Sequence, residues 1–264
     1  MRDFFSDVYW IGWRDVVRYL RPIPLFVLRL VSPLVMVGLF ALSFSSIGDS
    51  LSLTIDSVRY VEFVSPVIFL LVADLAAILT GLTFLSDRRS GFMQLLASTP
   101  VSRGAIAVGK VLATSMVALL QGVVMLAALI LSGIDPVSSP YSLAGVTVMV
   151  FLAGLTFAGV SLVVGIRLRT PEAFWQGLAV VSFPLFLVSN ALSPLSSMPA
   201  WFAVVASANP MTYAISALRH FLIPGSFPMS AVELYLDIGV VCCFDLLLVG
   251  ASIWHFVRRM DESL

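Results

Sequence analysis

Six long apolar stretches dominate this 264-residue chain. A transmembrane helix needs about 20 mainly apolar residues to cross roughly 30 Å of hydrocarbon. Backbone polar groups find no water inside a bilayer, and an α-helix satisfies them within its own segment. The sequence therefore predicts an all-α, polytopic membrane protein with six transmembrane helices. Their predicted ranges are 25–44, 62–85, 106–132, 142–166, 173–193 and 232–257.

Composition and charge agree with a protein that lives in the lipid bilayer. Hydrophobic residues make up 59% and charged residues 11% of the chain, against about 25% charged in soluble domains. The 15 basic and 15 acidic residues cancel, so no nucleic-acid partner is indicated. The two cysteines, Cys242 and Cys243, are adjacent within an apolar run and are interpreted as small buried hydrophobes.

The positions of the basic residues predict the orientation. Short cytoplasmic loops hold an excess of Lys and Arg, and 13 of the 15 basic residues fall on the side that carries both predicted termini. Only Arg59 and Arg219 fall on the opposite side. The distribution predicts cytoplasmic termini. The 13 are Arg2, Arg14, Arg18, Arg21, Arg29, Arg88, Arg89, Arg103, Lys110, Arg167, Arg169, Arg258 and Arg259.

Residues 2–21 predict an N-terminal helix that lies on the membrane surface. Helical spacing collects the polar side chains on one stripe and aromatic and aliphatic side chains on a broad face. Pro22 and Pro24 then end the helix. Two roles are open for this helix: an anchor that only sets the orientation in the membrane, or a functional elbow. The polar stripe holds Asp3, Asp7, Arg14, Arg18 and Arg21, and the apolar face Phe5, Tyr9, Trp13, Val16 and Leu20.

Residues 194–231 are apolar but interrupted by prolines, which predicts a re-entrant segment before the last span. Non-helical backbone at membrane depth is tolerated only where protein or a water-filled cavity shields it. We expect short helices around 198–207 and 210–221. An exposed loop is the alternative.

Two features lie around the first predicted cytoplasmic connection, between the second and third spans. Residues 104–111 resemble a phosphate-binding loop, but Val111 stands where Mg²⁺ binding needs Ser or Thr, and no strand precedes. A snorkelling Lys110 at a helix entry is the simpler interpretation. Residues 86–104 have a charged start and an apolar helical face, which suits either docking of a partner or a positive-inside stop signal.

The same loop resembles a known family. The run from Asp87 to Arg103, which closes on Gly109 and Lys110, is similar to the first cytoplasmic loop of ABC-2 type transporter permeases. The run 190–201, followed by Asn-Pro-Met-Thr-Tyr at 209–213, resembles the same family's segment before the final span. Both runs occur in the order that the family has.

The resemblance implies a single ABC-2 transmembrane domain over residues 1–264, like daunorubicin-exporter or NodJ-like permeases. Such a subunit would export an amphipathic, lipid-linked or drug-like substrate with ATP hydrolysed by a separate protein. Two ATP-binding subunits would join a permease homodimer in the plasma membrane. ATP and Mg would bind the partner, and this chain would carry no cofactor.

The resemblance also implies a coupling surface in residues 87–103. The expected contacts with the ATPase are Asp87, Arg88, Arg89, Phe92 and Arg103. Family loops often begin with glutamates, whereas this chain has Asp87 followed by two arginines. A partner surface more acidic than usual is therefore expected.

Two acids lie in the middle of predicted spans, Asp74 in the second and Asp245 in the sixth. Intramembrane charges usually face protein or water, so these acids either line a translocation path, carry protons or bond neighbouring helices. Gly154, Ala158, Ser161 and Gly165 form a small-residue stripe that predicts close helix packing, within the chain rather than between copies.

Enzyme chemistry is not indicated, since catalysis would need a nucleophile with a base or a metal cluster. His220 and His255 lie near opposite ends of the predicted bundle, and no metal spacing occurs. An ion-coupled secondary transporter is the alternative function, although internal repeats typical of that class are not evident.

Overall fold

The computed structural model describes residues 2–31, 34–35, 54–55, 58–99, 101–131, 139–223 and 229–261. These residues are helical except for turns, a short 3₁₀ helix and one antiparallel pair of two-residue strands. The strands are β1 (Thr54–Ile55) and β2 (Val58–Arg59). The helices are α1 (Arg2–Leu20), α2 (23–31), α3 (Tyr60–Arg89), α4 (Phe92–Ala97), α5 (Arg103–Leu131), α6 (Pro140–Arg167), α7 (Pro171–Leu187), α8 (Ala200–Ser207), α9 (Pro210–Leu222) and α10 (Ala231–Asp261).

Four described helices, α3, α5, α6 and α10, are long and apolar enough to cross a membrane. They correspond to the second, third, fourth and sixth predicted spans. The fifth predicted span corresponds to α7, which has 17 residues. The first, residues 25–44, lies largely outside the described residues. The chain is thus a helical membrane protein with several apolar helices.

Three helices begin with the same local signal, a polar residue followed by proline. Ser139, Thr170 and Asn209 each accept a backbone N–H bond with the side chain, at 3.2, 3.2 and 3.0 Å. The residue that follows each of them is a proline, which is the first residue of α6, α7 or α9. Proline lacks the N–H that would be unpaired at this position, and its φ suits the first turn. These helix starts follow from local sequence.

The bundle is organised around α6. Within its most apolar stretch 78% of residues are buried inside the chain, against 22% for α10. On α10, Leu246 and Leu247 each remain 75% exposed. None of the described residues covers this side of α10, which presents an apolar surface suited to contact with lipid or with another protein.

The small-residue stripe on α6 packs within the chain, as predicted. Ala158 and Ser161 are fully buried, and the Ser161 hydroxyl accepts a hydrogen bond from the Gly81 backbone N–H at 3.1 Å. A Cβ on Gly154 would lie 2.8 Å from the Cα of Ser115 in α5. Glycine is required because the two helix backbones approach each other directly.

Short helices form at both places where they were predicted before the last span, as α8 and α9. Asn209 joins them to α7, since its Nδ2 donates to the carbonyls of Leu185, at 2.7 Å, and Val188. Thr212 Oγ1 donates to the Ala206 carbonyl at 2.6 Å. Phe221 is buried, whereas Trp201 is 70% exposed. The apolar side chains of this segment are therefore only partly covered by the chain.

Arg219 fixes α9 to the beginning of α3. Its guanidinium donates to the Phe63 carbonyl at 3.0 Å and the Asn190 carbonyl at 2.6 Å, and it lies 3.6 Å from the Phe63 ring centroid. The side chain is buried. Arg219 is thus a packing group, which explains why a basic residue is tolerated on the side that the charge distribution predicts to be external.

Replacing Gly154 by Ala is expected to lower thermal stability, because the new methyl group meets backbone of α5 and overpacking costs about 1 to 3 kcal/mol. Gly250→Ala is the matched control, since a Cβ there has nothing within 4 Å and alanine favours the helix by up to about 1 kcal/mol. Thermal unfolding in detergent checks both. Equal melting temperatures for the two variants would contradict the close approach of α5 and α6.

Candidate functional site

Five charged side chains meet where α1, α3 and α5 converge, and we call Arg14, Asp15, Arg18, Asp87 and Lys110 the charged cluster. Lys110 Nζ lies 3.0 Å from Asp15 Oδ2 and 2.7 Å from Asp87 Oδ2. Arg14 pairs with Asp15 at 2.7 Å and with Asp87 at 2.8 Å, and Arg18 with Asp87 at 2.9 Å. Three helices far apart in sequence are thereby joined by ion pairs.

Burial distinguishes the charged cluster from a surface ion pair. Lys110, Asp15 and Asp87 are 1, 1 and 3% exposed. Every carboxylate oxygen of the two acids accepts at least one charged hydrogen bond. Such pairing is needed because an uncompensated buried charge costs several kcal/mol. The three cations exceed the two carboxylates by one charge.

The electrostatics of Arg14 reflect the two neighbouring acids. Burial disfavours the charged guanidinium, but Asp15 and Asp87 outweigh that effect, so the pKa of Arg14 is raised. Arg14 therefore remains a cation throughout the physiological range. Its guanidinium carbon also lies 4.3 Å from the Phe92 ring centroid, which links the charged cluster to α4.

The segment that resembles a phosphate-binding loop is a helix-packing site. Lys110 does not snorkel to the interface as the sequence suggested, because it is buried between two acids on neighbouring helices. A Cβ on Gly12 would lie 3.2 Å from the Gly109 carbonyl oxygen, and one on Gly109 3.0 Å from the Val8 carbonyl. The glycines allow α1 and α5 to touch along their backbones, which brings Asp15 within reach of Lys110.

Helix α1 forms where it was predicted. In addition to the predicted polar stripe and apolar face, it has a face that is buried against the bundle. Ile11, Asp15 and Tyr19 are buried against the bundle. Phe5, Tyr9 and Trp13, from the predicted apolar face, are 71, 60 and 53% exposed. Aromatic side chains favour the boundary between membrane and water. The exposed aromatic face is therefore suited to lipid contact while the buried face holds the charged cluster.

Helix α4 is held beside the charged cluster by a sharp turn. Gly91 has φ of 74°, a left-handed conformation that favours glycine at the end of a helix. The turn separates the end of α3 from the start of α4. Met93 is then buried in an apolar core cluster with Ile11 and Phe84, while Leu95 is 60% exposed. The helix is anchored on one side and open on the other.

The predicted coupling residues occupy different environments around this turn. Arg88 and Arg89 are exposed, and Arg89 donates to the Arg169 carbonyl at 3.0 Å. Phe92 is half-buried beneath Arg14, and Arg103 is half-buried at the first turn of α5. Asp87 is enclosed in the charged cluster and presents little surface to another protein.

Sequence analysis did not identify Asp15, which is central to the charged cluster. It lies off the predicted polar stripe, on the buried side of α1 between Ile11 and Tyr19 at steps of four residues. An acid on an otherwise apolar helical face was the available signal. Such an acid indicates a buried cationic partner on another helix. Lys110, which lies within a predicted span, was the candidate for that partner.

The two intramembrane acids are not brought together but bond to different helices. Asp74 of α3 accepts from the Ser182 hydroxyl of α7 at 2.8 Å. Asp245 of α10 accepts from the Thr156 hydroxyl of α6 and is 3% exposed. Among the described residues, none supplies a partner for Asp245 Oδ2. Each acid therefore makes an interhelical hydrogen bond near the middle of a span.

Comparisons with known proteins agree with the helical pattern. A family model described as ABC-2 type transporter matches residues 6–223. The protein ycf38 of Porphyra purpurea, whose name describes a transport permease, is 30% identical over 193 residues, which cover 72% of this chain and 65% of ycf38. YbhR of Escherichia coli strain K12, named as a multidrug ABC transporter permease, is 26% identical over 61% of this chain and 42% of its own.

A third relative has a similar extent of match. DrrB1 of Streptomyces coeruleorubidus, named as a daunorubicin resistance ABC transporter permease protein, is 23% identical over 73% of this chain and 65% of DrrB1. The matched region thus spans less than two thirds of the length of each of these three relatives.

Lys110→Met is expected to loosen α1, because it leaves two buried carboxylates with less compensation, at a cost of about 3 to 5 kcal/mol. Hydrogen exchange of the α1 amides should accelerate, and the melting temperature should fall. Arg89→Gln, at an exposed position, should change neither.

The double variant Asp15→Asn with Lys110→Met distinguishes loss of the ion pair between these two side chains from a general loss of stability. Residues in one ion network show non-additive effects, so the double variant should lose clearly less stability than the two single losses combined. Strict additivity would show that the two side chains do not interact.

Proposed function

Because the chain belongs to the ABC-2 type transporter family, we propose that it is the membrane subunit of an ATP-binding cassette exporter. A separate subunit binds and hydrolyses ATP with Mg, and this chain moves an amphipathic, lipid-linked or drug-like substrate out of the cytoplasm. The names of YbhR and DrrB1 as ABC transporter permeases support this function.

The observation that carries the proposal is the attachment of α4 to the charged cluster. Gly91, the Phe92 ring under Arg14 and the buried Met93 hold α4 against the bundle. Leu95 of the same helix is 60% exposed and available to a partner. An amphipathic helix docks into a groove of another protein through its exposed face. The ATPase is the partner that α4 would contact.

The charged cluster provides a route for movement of α4 to reach the membrane helices. A push on α4 is passed to Arg14 of α1, to Asp87 at the end of α3 and to Lys110 near the start of α5. Rigid helices joined by buried ion pairs move as a unit more readily than helices joined by exposed side chains. In this mechanism Asp87 is a positioning residue, and Arg88, Arg89, Phe92 and Arg103 form the contact surface.

The proposal includes six spans with both termini in the cytoplasm, in the plasma membrane. The uneven distribution of basic residues supports that orientation, and α7 and residues 25–44 supply the two spans beyond α3, α5, α6 and α10. In this topology α8 and α9 form a re-entrant pair at the outer side. The permease functions as a homodimer with two ATPase subunits, and the uncovered side of α10 is available for lipid or the second copy.

Asp74 and Asp245 have structural roles in this proposal. Each carboxylate accepts a hydrogen bond from a hydroxyl of a neighbouring helix, and one interhelical hydrogen bond contributes about 0.6 kcal/mol in a membrane. An ATP-driven exporter needs no proton carrier. The same residues would be essential proton carriers in the alternative function, an ion-coupled secondary transporter.

The ATPase partnership is tested by co-expression with a candidate ATPase from the same genome and purification through a tag on this chain. Reversing the charges of Arg88 and Arg89 to Glu should reduce co-elution and ATP hydrolysis at least tenfold, because an acidic partner surface would then be repelled. Arg259→Glu, another exposed arginine on the same proposed side, should have little effect.

One result would contradict the exporter, and another would contradict only the proposed contact surface. If no ATPase associates and ATP depletion leaves transport intact, the ion-coupled transporter becomes the function. If the Arg259 variant loses co-elution as fully as the reversed pair, general charge rather than residues 87–103 attracts the ATPase.

Asp245→Asn is expected to retain assembly and most transport, because the Asn oxygen still accepts the hydrogen bond from Thr156. Asp245→Leu removes the acceptor and should lower the melting temperature measurably. The comparison measures both stability and transport in vesicles. Complete loss of transport in a stable Asn variant would contradict a purely structural role, and would favour a charged group that lines the path or carries protons.

A further inference from the structure

A cavity of about 470 Å³ opens between α1, α2, α3, α5 and α7. Its volume falls within the range of small-molecule sites. One side is polar and basic, whereas the opposite wall is apolar. The lining residues are Arg18, Tyr19, Arg29, Leu75, Ile78, Leu79, Leu82, Thr83, Ser86, Gln121 and Trp175.

The apolar wall is a continuous stripe on α3. Leu75, Ile78, Leu79 and Leu82 follow one another at helical spacing, and each is only partly covered by the chain. From Leu75 to Leu82 the stripe extends about 10 Å at 1.5 Å per residue. An apolar group can lie along it, and Trp175 also lines the cavity.

The polar side carries positive charge. Arg29 lies over the Tyr19 ring at 4.5 Å from its centroid, and among the described residues no carboxylate pairs with it. Arg18 also lines the cavity, with its side chain 46% exposed beyond its pair with Asp87. The charged cluster, to which Arg18 belongs, carries one net positive charge in total. This side of the cavity is therefore complementary to an anion.

Gln121 adds a separate observation at the same cavity. It is 1% exposed, and its Nε2 donates to the Tyr19 hydroxyl at 2.7 Å. Within the described part of the chain, its Oε1 has no hydrogen-bond partner. A buried unpaired acceptor is costly, and the bond from Gln121 holds Tyr19, another lining residue, beside the cavity.

We propose that this cavity binds an anionic amphiphile, with one apolar chain along α3 and an anionic head group at Arg18 and Arg29. The inference rests on the proposed function, since it names the chemical class of the exporter's substrate. An acidic single-chain lipid has both parts.

Binding to the purified chain in a neutral maltoside detergent tests this site, with titration followed by native mass spectrometry. The probe is a monoacyl phosphoglycerol. Monoacyl phosphocholine of the same chain length lacks the net negative charge, and glycerol phosphate lacks the apolar chain. The phosphoglycerol should bind at least tenfold more tightly than either.

Variants locate the binding. Arg29→Gln should weaken phosphoglycerol binding about tenfold, as expected for loss of one charge-assisted contact. Arg21→Gln, an exposed arginine near the same turn that does not line the cavity, should leave it unchanged. Leu79→Trp should block binding by filling the apolar wall, and its melting temperature reports whether it folds.

Three outcomes would overturn the proposal: equal weakening by the Arg21 and Arg29 variants, equal affinity for phosphocholine, or equal affinity for glycerol phosphate. The first would indicate general surface charge, the second an apolar groove without charge selection, and the third a simple anion site. The titration needs neither ATPase nor ATP. The lipid titration can therefore be interpreted even if no ATPase associates with the chain. Likewise, the co-elution experiment can be interpreted even if the lipid does not bind.

Discussion

The arrangement of the helices depends on the buried amino group of Lys110. A cation inside an apolar bundle is tolerated only when carboxylates and further donors surround it in good geometry. Asp15 and Asp87 meet that requirement, and each is in turn held by arginines of α1. The position of α1 is therefore fixed by charge compensation as well as by apolar contact, and α4 is fixed through Arg14 and Phe92.

Close helix approach is the second condition for this arrangement. Gly12 and Gly109 let α1 lie against the backbone of α5, and Gly154 lets α6 lie against α5. Hydrocarbon tails solvate apolar side chains as well as other helices do, so association in a bilayer depends on close packing and interhelical hydrogen bonds. The hydroxyl bonds to Asp74 and Asp245 and the Asn209 and Arg219 contacts belong to the same set of polar connections.

Parts of the candidate site were accessible from sequence and parts were not. The α4 helix, the exposed Arg88 and Arg89 and the intramembrane acids were each identified from local pattern. Asp15 was missed, and Lys110 was interpreted as snorkelling, because the partner of a buried charge lies on another helix and local periodicity carries no record of it. The cavity was also missed, since Arg29, Leu79 and Gln121 come from three separate helices.

The sequence by itself determined the helical membrane class, the positions of most helices and the capped helix starts at Ser139, Thr170 and Asn209. These features depend on hydrophobicity, helix length and hydrogen bonds between near neighbours, which are encoded within a few turns of chain. Only the tertiary structure decided which face of α1 is buried, that Asp87 lies in an ion network rather than on a contact surface, and that Gln121 faces a basic cavity. Those outcomes depend on which helices become neighbours, and that choice is made by packing and charge compensation over the whole bundle.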